Sequence, residues 1–213
     1  MEMKNFPRVD ADLAGMDAAA AGMRAEFGRT AADPSDREWV KRKLRHMVDV
    51  DQYVRKLGTS LPREKYSQEE TEYFWRELGP RVCAMDDAHA RELKELLGVY
   101  GWFKLSEFGR DPDTHAWLLV QHADRDTAFQ KAVLLKLEAL CPQGETDPTN
   151  YAYLFDRVAV NEGRPQRYGT QGSMVAPGKW EPDPLEDPAG VDELRETVGL
   201  EPLEEYKKRF AGL

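Results

Sequence analysis

Apolar residues recur at three- and four-residue spacing along most of this chain, the pattern of amphipathic helices. Between residues 9 and 27 the period is carried by Leu13, Met16, Ala20, Met23 and Phe27 in an Ala-rich setting. Thr30-Ala-Ala-Asp-Pro-Ser-Asp36 breaks it, and Ser35 or Asp36 is placed to cap the next helix. That helix carries Trp39, Leu44, Met47, Val50, Tyr53, Val54 and Leu57 and is expected to stop at Gly58, with a polar link through Pro62. Ser67-Gln-Glu-Glu70 has the capping-box pattern and opens a segment through Tyr73, Phe74 and Leu78, with a break expected at Gly79-Pro80. The period resumes at Arg81 and carries Met85, His89, Leu93, Leu96 and Leu97 to a stop at Gly98 or Gly101.

Trp102, Phe103, Leu105 and Phe108 then form a short apolar connector packed over the core. Asp113 or Thr114 is expected to open a helix ending near Asp124, and Asp126 or Thr127 the next, over 128–140. Asp147-Pro148 has the cap-then-proline order of a further helix start, and Gly163 ends that helix. Residues 168–185 mix glycines and prolines with Val175 and Trp180, which reads as an irregular loop or short hairpin folded over its neighbours. Asp187-Pro188 and Glu201-Pro202 start two short helices. The fold class is therefore mainly α, a compact multi-helix bundle with a loop-rich or short-hairpin cap near the C-terminus. Residues 1–34 read as an N-terminal helix and linker, and 35–213 as a single helical domain.

Composition narrows the function classes. The 213 residues carry a net charge of −9, which argues against a nucleic-acid partner, since phosphate backbones reward Lys and Arg. No apolar run reaches the ~18 residues of a membrane span. The opening Met1-Glu-Met-Lys-Asn-Phe-Pro-Arg8 lacks an apolar signal core, so a cytoplasmic setting is expected. Cys83 and Cys141 sit singly in helical patterns and read as buried reduced thiols. Glycine patterns that cradle nucleotide phosphates and the Gly-x-Ser-x-Gly nucleophile setting are both absent. The reading includes no cofactor and no metal, and it leaves the oligomeric state open.

The candidate chemistry lies where two helices end in dense polar clusters. In Gln121-His122-Ala-Asp124-Arg-Asp126, His122 is poised to gain or lose a proton near neutral pH, with Asp124 or Asp126 to orient it. The plainer alternative is that His122 caps its own helix and Asp124 the next turn. Downstream, Asn150, Tyr153, Arg157, Asn161 and Arg164 share one helical face, where forked donors suit a carboxylate or phosphate. Alternatively Arg157 pairs with Asp124 or Asp126, and Asn161 satisfies loop backbone. Gln166, Tyr168, Thr170 and Gln171, grouped around Gly169, either orient a substrate or form an ordered turn. Asp51, Gln52 and Arg55, with Asp86 and His89, form inward-facing helical sets that suit the far wall of a pocket. Asp-x-x-His is a spacing by which bundles present metal ligands, but matched Glu-x-x-His helices are missing, so salt bridges and hydrogen bonds are the favoured reading.

These residues resemble a family of uncharacterised bacterial proteins, a domain of unknown function. The resemblance rests on Asp51-Gln52…Arg55, Asp86…His89…Leu93, Gly101-Trp102, Trp117-Leu-Leu-Val-Gln121-His122-Ala-Asp124 and Asp156-Arg157…Asn161-Glu-Gly163-Arg-Pro-Gln166-Arg-Tyr168-Gly169-Thr170-Gln171. Pro184-Leu-Glu-Asp187 and Gly199-Leu-Glu-Pro-Leu203-Glu-Glu-Tyr206 extend it. His89 departs from the Asn that the family pattern places there, which weighs further against a metal role. The resemblance implies relatives and assigns no reaction.

The residues support a cofactor-independent enzyme that uses general acid–base catalysis for hydrolysis, elimination or cyclisation of a small polar or peptidic molecule, in a biosynthetic pathway. His122 moves the proton, oriented by Asp124 or Asp126. Arg157 and Arg164 hold negative charge, and Gln121, Asn161, Gln166, Tyr168 and Gln171 fix the substrate. A non-catalytic helical binding or accessory module and a metal-dependent version of the enzyme are the alternatives.

Overall fold

The computed structural model describes residues 6–210, apart from the side chains of residues 62–65. Met1–Asn5, part of the opening read for a targeting signal, lie outside the described residues. The class is mainly α with one small antiparallel hairpin, and no helix among the described residues is long and apolar enough to cross a membrane. The chain divides into two compact units, Met1–Gly101 and Trp102–Leu213.

The first unit is built from α1 (Pro7–Phe27), α2 (Arg37–Lys65) and α3 (Gln68–Tyr100), each packed on the other two. Val9, Leu13, Met16 and Ala20 line one face of α1 and bury it against Val50 and Val54 of α2 and Phe74, Leu78 and Met85 of α3. Asp36 caps α2 by accepting from Glu38 N–H, and Ser67 with Glu70 closes the capping box of α3. The expected stops at Gly58 and Gly79-Pro80 are not stops. Helix α2 runs on to Lys65, and α3 passes through Pro80 without a break.

The reasons are tertiary. A Cβ at Gly58 would lie 2.9 Å from Leu78 Cδ2, so this glycine admits close approach of α2 and α3 rather than ending a helix. Pro80 removes one N–H from the α3 ladder. Arg81 Nη1 donates to Glu77 O at 2.6 Å beside that gap, while buried Leu78 and Met85 hold both flanking turns in place.

The second unit carries α4 (Leu105–Phe108), α5 (Arg110–Gln121), α6 (Thr127–Leu140), a 3-10 turn (Cys141–Gln143), α7 (Pro148–Asn161), β1 (Gly172–Ala176), β2 (Lys179–Pro182), α8 (Val191–Thr197) and α9 (Leu203–Lys208). Asp126 and Asp147 cap α6 and α7 as their positions predict. Helix α5 begins earlier than expected, at Arg110 after Gly109 (φ 82°). Asp113 is therefore not its cap but a fully buried interior residue. Its carboxylate accepts from Trp102 Nε1 (2.6 Å), Thr146 Oγ1 (2.7 Å), Asp147 N–H (3.0 Å) and Asn150 Nδ2 (2.9 Å), which fixes α7 against α5.

The loop-rich stretch contains the hairpin, with Gly172 opposite Pro182 and Met174 opposite Trp180. A Cβ at Gly172 would come within 2.4 Å of the Trp180 ring, so glycine lets that indole lie flat across β1. Trp180 is buried, stacked on Phe210 with ring centroids 4.8 Å apart and edge-on to Tyr206 at 5.5 Å. Cys83 and Cys141 are unpaired but half-buried rather than buried, and burial pushes the Cys141 thiol up to about 11.

Candidate functional site

Helices α5 and α7 lie side by side and run the same way. Asp113 meets Asn150, Trp117 packs edge-on against Tyr153 with centroids 5.6 Å apart, and Asp124 meets Asn161. Residues 113, 117 and 121 share one face of α5, and 150, 153, 157 and 161 one face of α7. The register therefore sets Gln121 opposite Arg157. Along this seam three buried polar atoms have no hydrogen-bond partner: Trp117 Nε1, Gln121 Oε1 and Arg157 Nε. Leaving such an atom dry and unpaired costs about 1–3 kcal/mol, so each calls for an explanation.

At the end of the seam, Asp124 Oδ1 accepts from Asn161 Nδ2 (3.0 Å) and Gln130 Nε2 (3.2 Å). It also lies 3.4 Å from Arg157 Nε, an ion contact without hydrogen-bond geometry. The Asp124 side chain is 47% exposed and that of Arg157 32%, so both reach solvent. Gln130, which the sequence reading missed, is fully buried and also ties Val120 O and Gln121 O to this corner. His122 follows Gln121 as the half-buried C-cap of α5. Asp126 Oδ1 accepts from Phe129 N–H and so caps α6.

The remaining candidates gather elsewhere in the unit, around a residue to which the sequence assigned no role. Asp156 is fully buried one position before Arg157. It accepts from the backbone N–H of Arg167 (2.8 Å), Tyr168 (3.0 Å) and Thr170 (2.9 Å) and from the Thr170 hydroxyl (2.9 Å). Burial pushes its carboxyl above the ordinary value, against those four donors, which pull it down. Gln166, also fully buried, donates to Gln171 O (2.8 Å) and Asp183 O (2.9 Å) and accepts from Gln171 N–H (2.9 Å). Arg195, buried as well, donates to Tyr168 O and to Glu201 O (2.6 Å).

Gln166, Tyr168, Thr170 and Gln171 thus form the ordered turn that was the alternative reading. Asp156 draws the backbone of this turn to itself. The Tyr168 ring meets Phe155, two residues and so about 200° around α7 from Arg157. Arg164 turns away to make a two-pronged contact with Glu162.

In the first unit, Arg55 Nε donates to Asp51 (2.9 Å), its Nη2 donates to Asp86 (2.6 Å), and Gln52 donates to Asp51 (2.8 Å). This is the salt-bridge network the sequence favours. His89 is buried with Nδ1 lacking a hydrogen-bond partner, and burial lowers its imidazole to about 4.

Neither a curated protein nor a solved structure matches the chain. A family model does, over residues 40–211, which span both the Asp124 corner and the Asp156 turn. The chain belongs to the family of unknown function DUF6624.

Proposed function

We propose that this protein is a cofactor-independent enzyme of general acid–base type, acting by hydrolysis, elimination or cyclisation on a small polar or peptidic molecule. The observation that carries the reading is the α5–α7 seam, where Gln121 Oε1 and Arg157 Nε are buried without a hydrogen bond and Arg157 Nε has only its 3.4 Å ion contact to the half-exposed Asp124. A substrate that offers an N–H or O–H to Gln121 and an anionic oxygen to Arg157 satisfies both at once. Asp124, steadied by Asn161 and Gln130, holds the guanidinium in place. Charge developing on the substrate then meets a preorganised cation. His122, next to Gln121 at the helix end, takes or gives the proton. The Asp156 turn supports the site from behind α7 and does no chemistry. The free thiols of Cys83 and Cys141 suit a reducing, cytoplasmic setting.

The test is turnover of a panel of esters, amides, dipeptides and small hydroxy acids by the wild type, His122→Ala and Arg157→Gln. The expected outcome is activity abolished in His122→Ala at unchanged fold, with Arg157→Gln raising KM mainly for anionic substrates. Activity that survives in His122→Ala, or that disappears only together with the fold, overturns the assignment. A second reading, a binding module, is favoured by Met174 and Val175, which stand 41% and 57% exposed on β1. In that case His122→Ala leaves partner capture intact and Val175→Lys abolishes it.

A further inference from the structure

We infer that the first unit binds a small monocarboxylate with an apolar body in the groove between α1 and α3. The groove encloses about 420 Å³, in the lower part of the ~300–1,000 Å³ range of small-molecule sites. Met16 and Ala20 of α1 and Met85 of α3 line it and are buried, giving it an apolar floor. Ala84 and Ala88 line the α3 side, where larger side chains would fill the space.

Charge selects the ligand's polar end. At one end of the groove Arg81 Nε is neutralised by Asp17 Oδ2 at 3.0 Å. At the other, Glu92 pairs with Lys43. Arg24, on the rim, is exposed and makes no ion pair among the described residues. His89 lies in the same wall, 5% exposed, with Nδ1 lacking a hydrogen-bond partner.

The Asp10–Tyr73 and Asp17–Arg81 contacts advance together along both helices, so α1 and α3 run in parallel and Arg24 and His89 mark the same end. Burial, opposed by Asp51 and Glu92 and aided by Arg24 and Lys43, keeps the His89 ring neutral. A neutral imidazole N–H gives one hydrogen bond and adds no charge. One carboxylate oxygen then meets Arg24 and the other His89, while the apolar body runs over Met16, Ala20 and Met85. With Arg81 paired to Asp17 and Glu92 to Lys43, Arg24 leaves the groove one positive charge for a ligand, which disfavours dicarboxylates and phosphate dianions. Helix α1 precedes the matched residues 40–211, so the cationic end of the site comes from outside the family match.

The experiment is calorimetric titration of the full chain with phenylacetate, its neutral counterpart 2-phenylethanol and the dianion benzylphosphonate. Phenylacetate is expected to saturate, with both other probes at least about tenfold weaker, the size of one charge-assisted contact. Arg24→Ala and His89→Phe are each expected to weaken phenylacetate by a similar factor. Because Arg24 is exposed, its variant reports on binding without loss of fold. His122→Ala is expected to bind phenylacetate like the wild type, which keeps this site separate from the proposed reaction. Absence of saturable binding, equal binding of 2-phenylethanol, or unchanged affinity in Arg24→Ala overturns the inference.

Discussion

Asp156 and Asp124 each gather several donors at α7, yet they sit in opposite physical states. Asp156 is fully buried, both of its oxygens accept, and three backbone N–H groups plus a hydroxyl close around it. Asp124 is half exposed, and Gln130, Asn161 and Arg157 all address its Oδ1, with Arg157 held by charge alone. The difference separates a polar group that specifies a fold from one that retains capacity to act. A buried carboxylate whose every lone pair is engaged has nothing left to offer a substrate. An open corner flanked by Gln121 Oε1 and Arg157 Nε, neither of which makes a hydrogen bond, does. Polar density in sequence marks both places equally, and only satisfaction of the donors tells them apart.

The largest effect that would test this contrast is on stability. Asp156→Ala strands the N–H groups of residues 167, 168 and 170, and is expected to cost about 3 kcal/mol or more. Asp124→Ala, at a solvated ion contact, is expected to cost less than about 1 kcal/mol. Urea denaturation of the two variants checks the ordering, and equal losses would erase the distinction.

His89 extends the comparison to the first unit, being buried like Asp156 but unpartnered at Nδ1 like the seam atoms. Its imidazole falls from 6.5 to about 4 on folding. The unfolded chain therefore binds the proton more readily between those values, and stability is lost as pH falls through that window. The loss is expected to approach about 3 kcal/mol. In His89→Phe that acid-dependent component should disappear, and a melting curve series from neutral to pH 4 reads it directly.

Smaller effects belong to the seam. His122→Ala is expected to shift stability by less than about 1 kcal/mol, leaving the thermal midpoint within a few degrees. A large drop would identify His122 as a capping or core residue. Gln121→Leu removes an acceptor that pairs with nothing, so the expectation is no change or a gain of up to about 1 kcal/mol. Clear destabilisation in that variant would mean that Oε1 already has a structural partner.

Much of this was legible from residue order, and the reasons are local. Ser67, Asp126 and Asp147 cap helices where their positions require, because a cap is satisfied within three residues of chain. The stripe Asn150, Tyr153, Arg157, Asn161 is a real face of α7, since helical period alone fixes it, and it does face α5. Arg164 was counted in that stripe but lies beyond the end of the helix, where the period no longer holds. Asp113 reads in sequence as a helix cap and Asp156 carries no role there, because their donors come from segments 11 to 37 residues away. A buried acceptor in mid-helix carries no local mark. The fully buried Gln130 and Arg195 were hidden for the same reason.

The sequence by itself determined the mainly helical class, most helix starts, the hairpin-bearing segment and the two clusters in which polar groups converge. These follow from periodicity, capping and glycine or proline placement, all of which act over a few residues. The tertiary structure decided that α2 and α3 continue through Gly58 and Gly79-Pro80, and that the Gln166–Gln171 turn serves Asp156 rather than Arg157. Burial supplies the physical reason in both cases. Packed neighbours outweigh the cost of a weakened helix turn, and a desolvated carboxylate recruits whatever N–H groups the chain can bring to it.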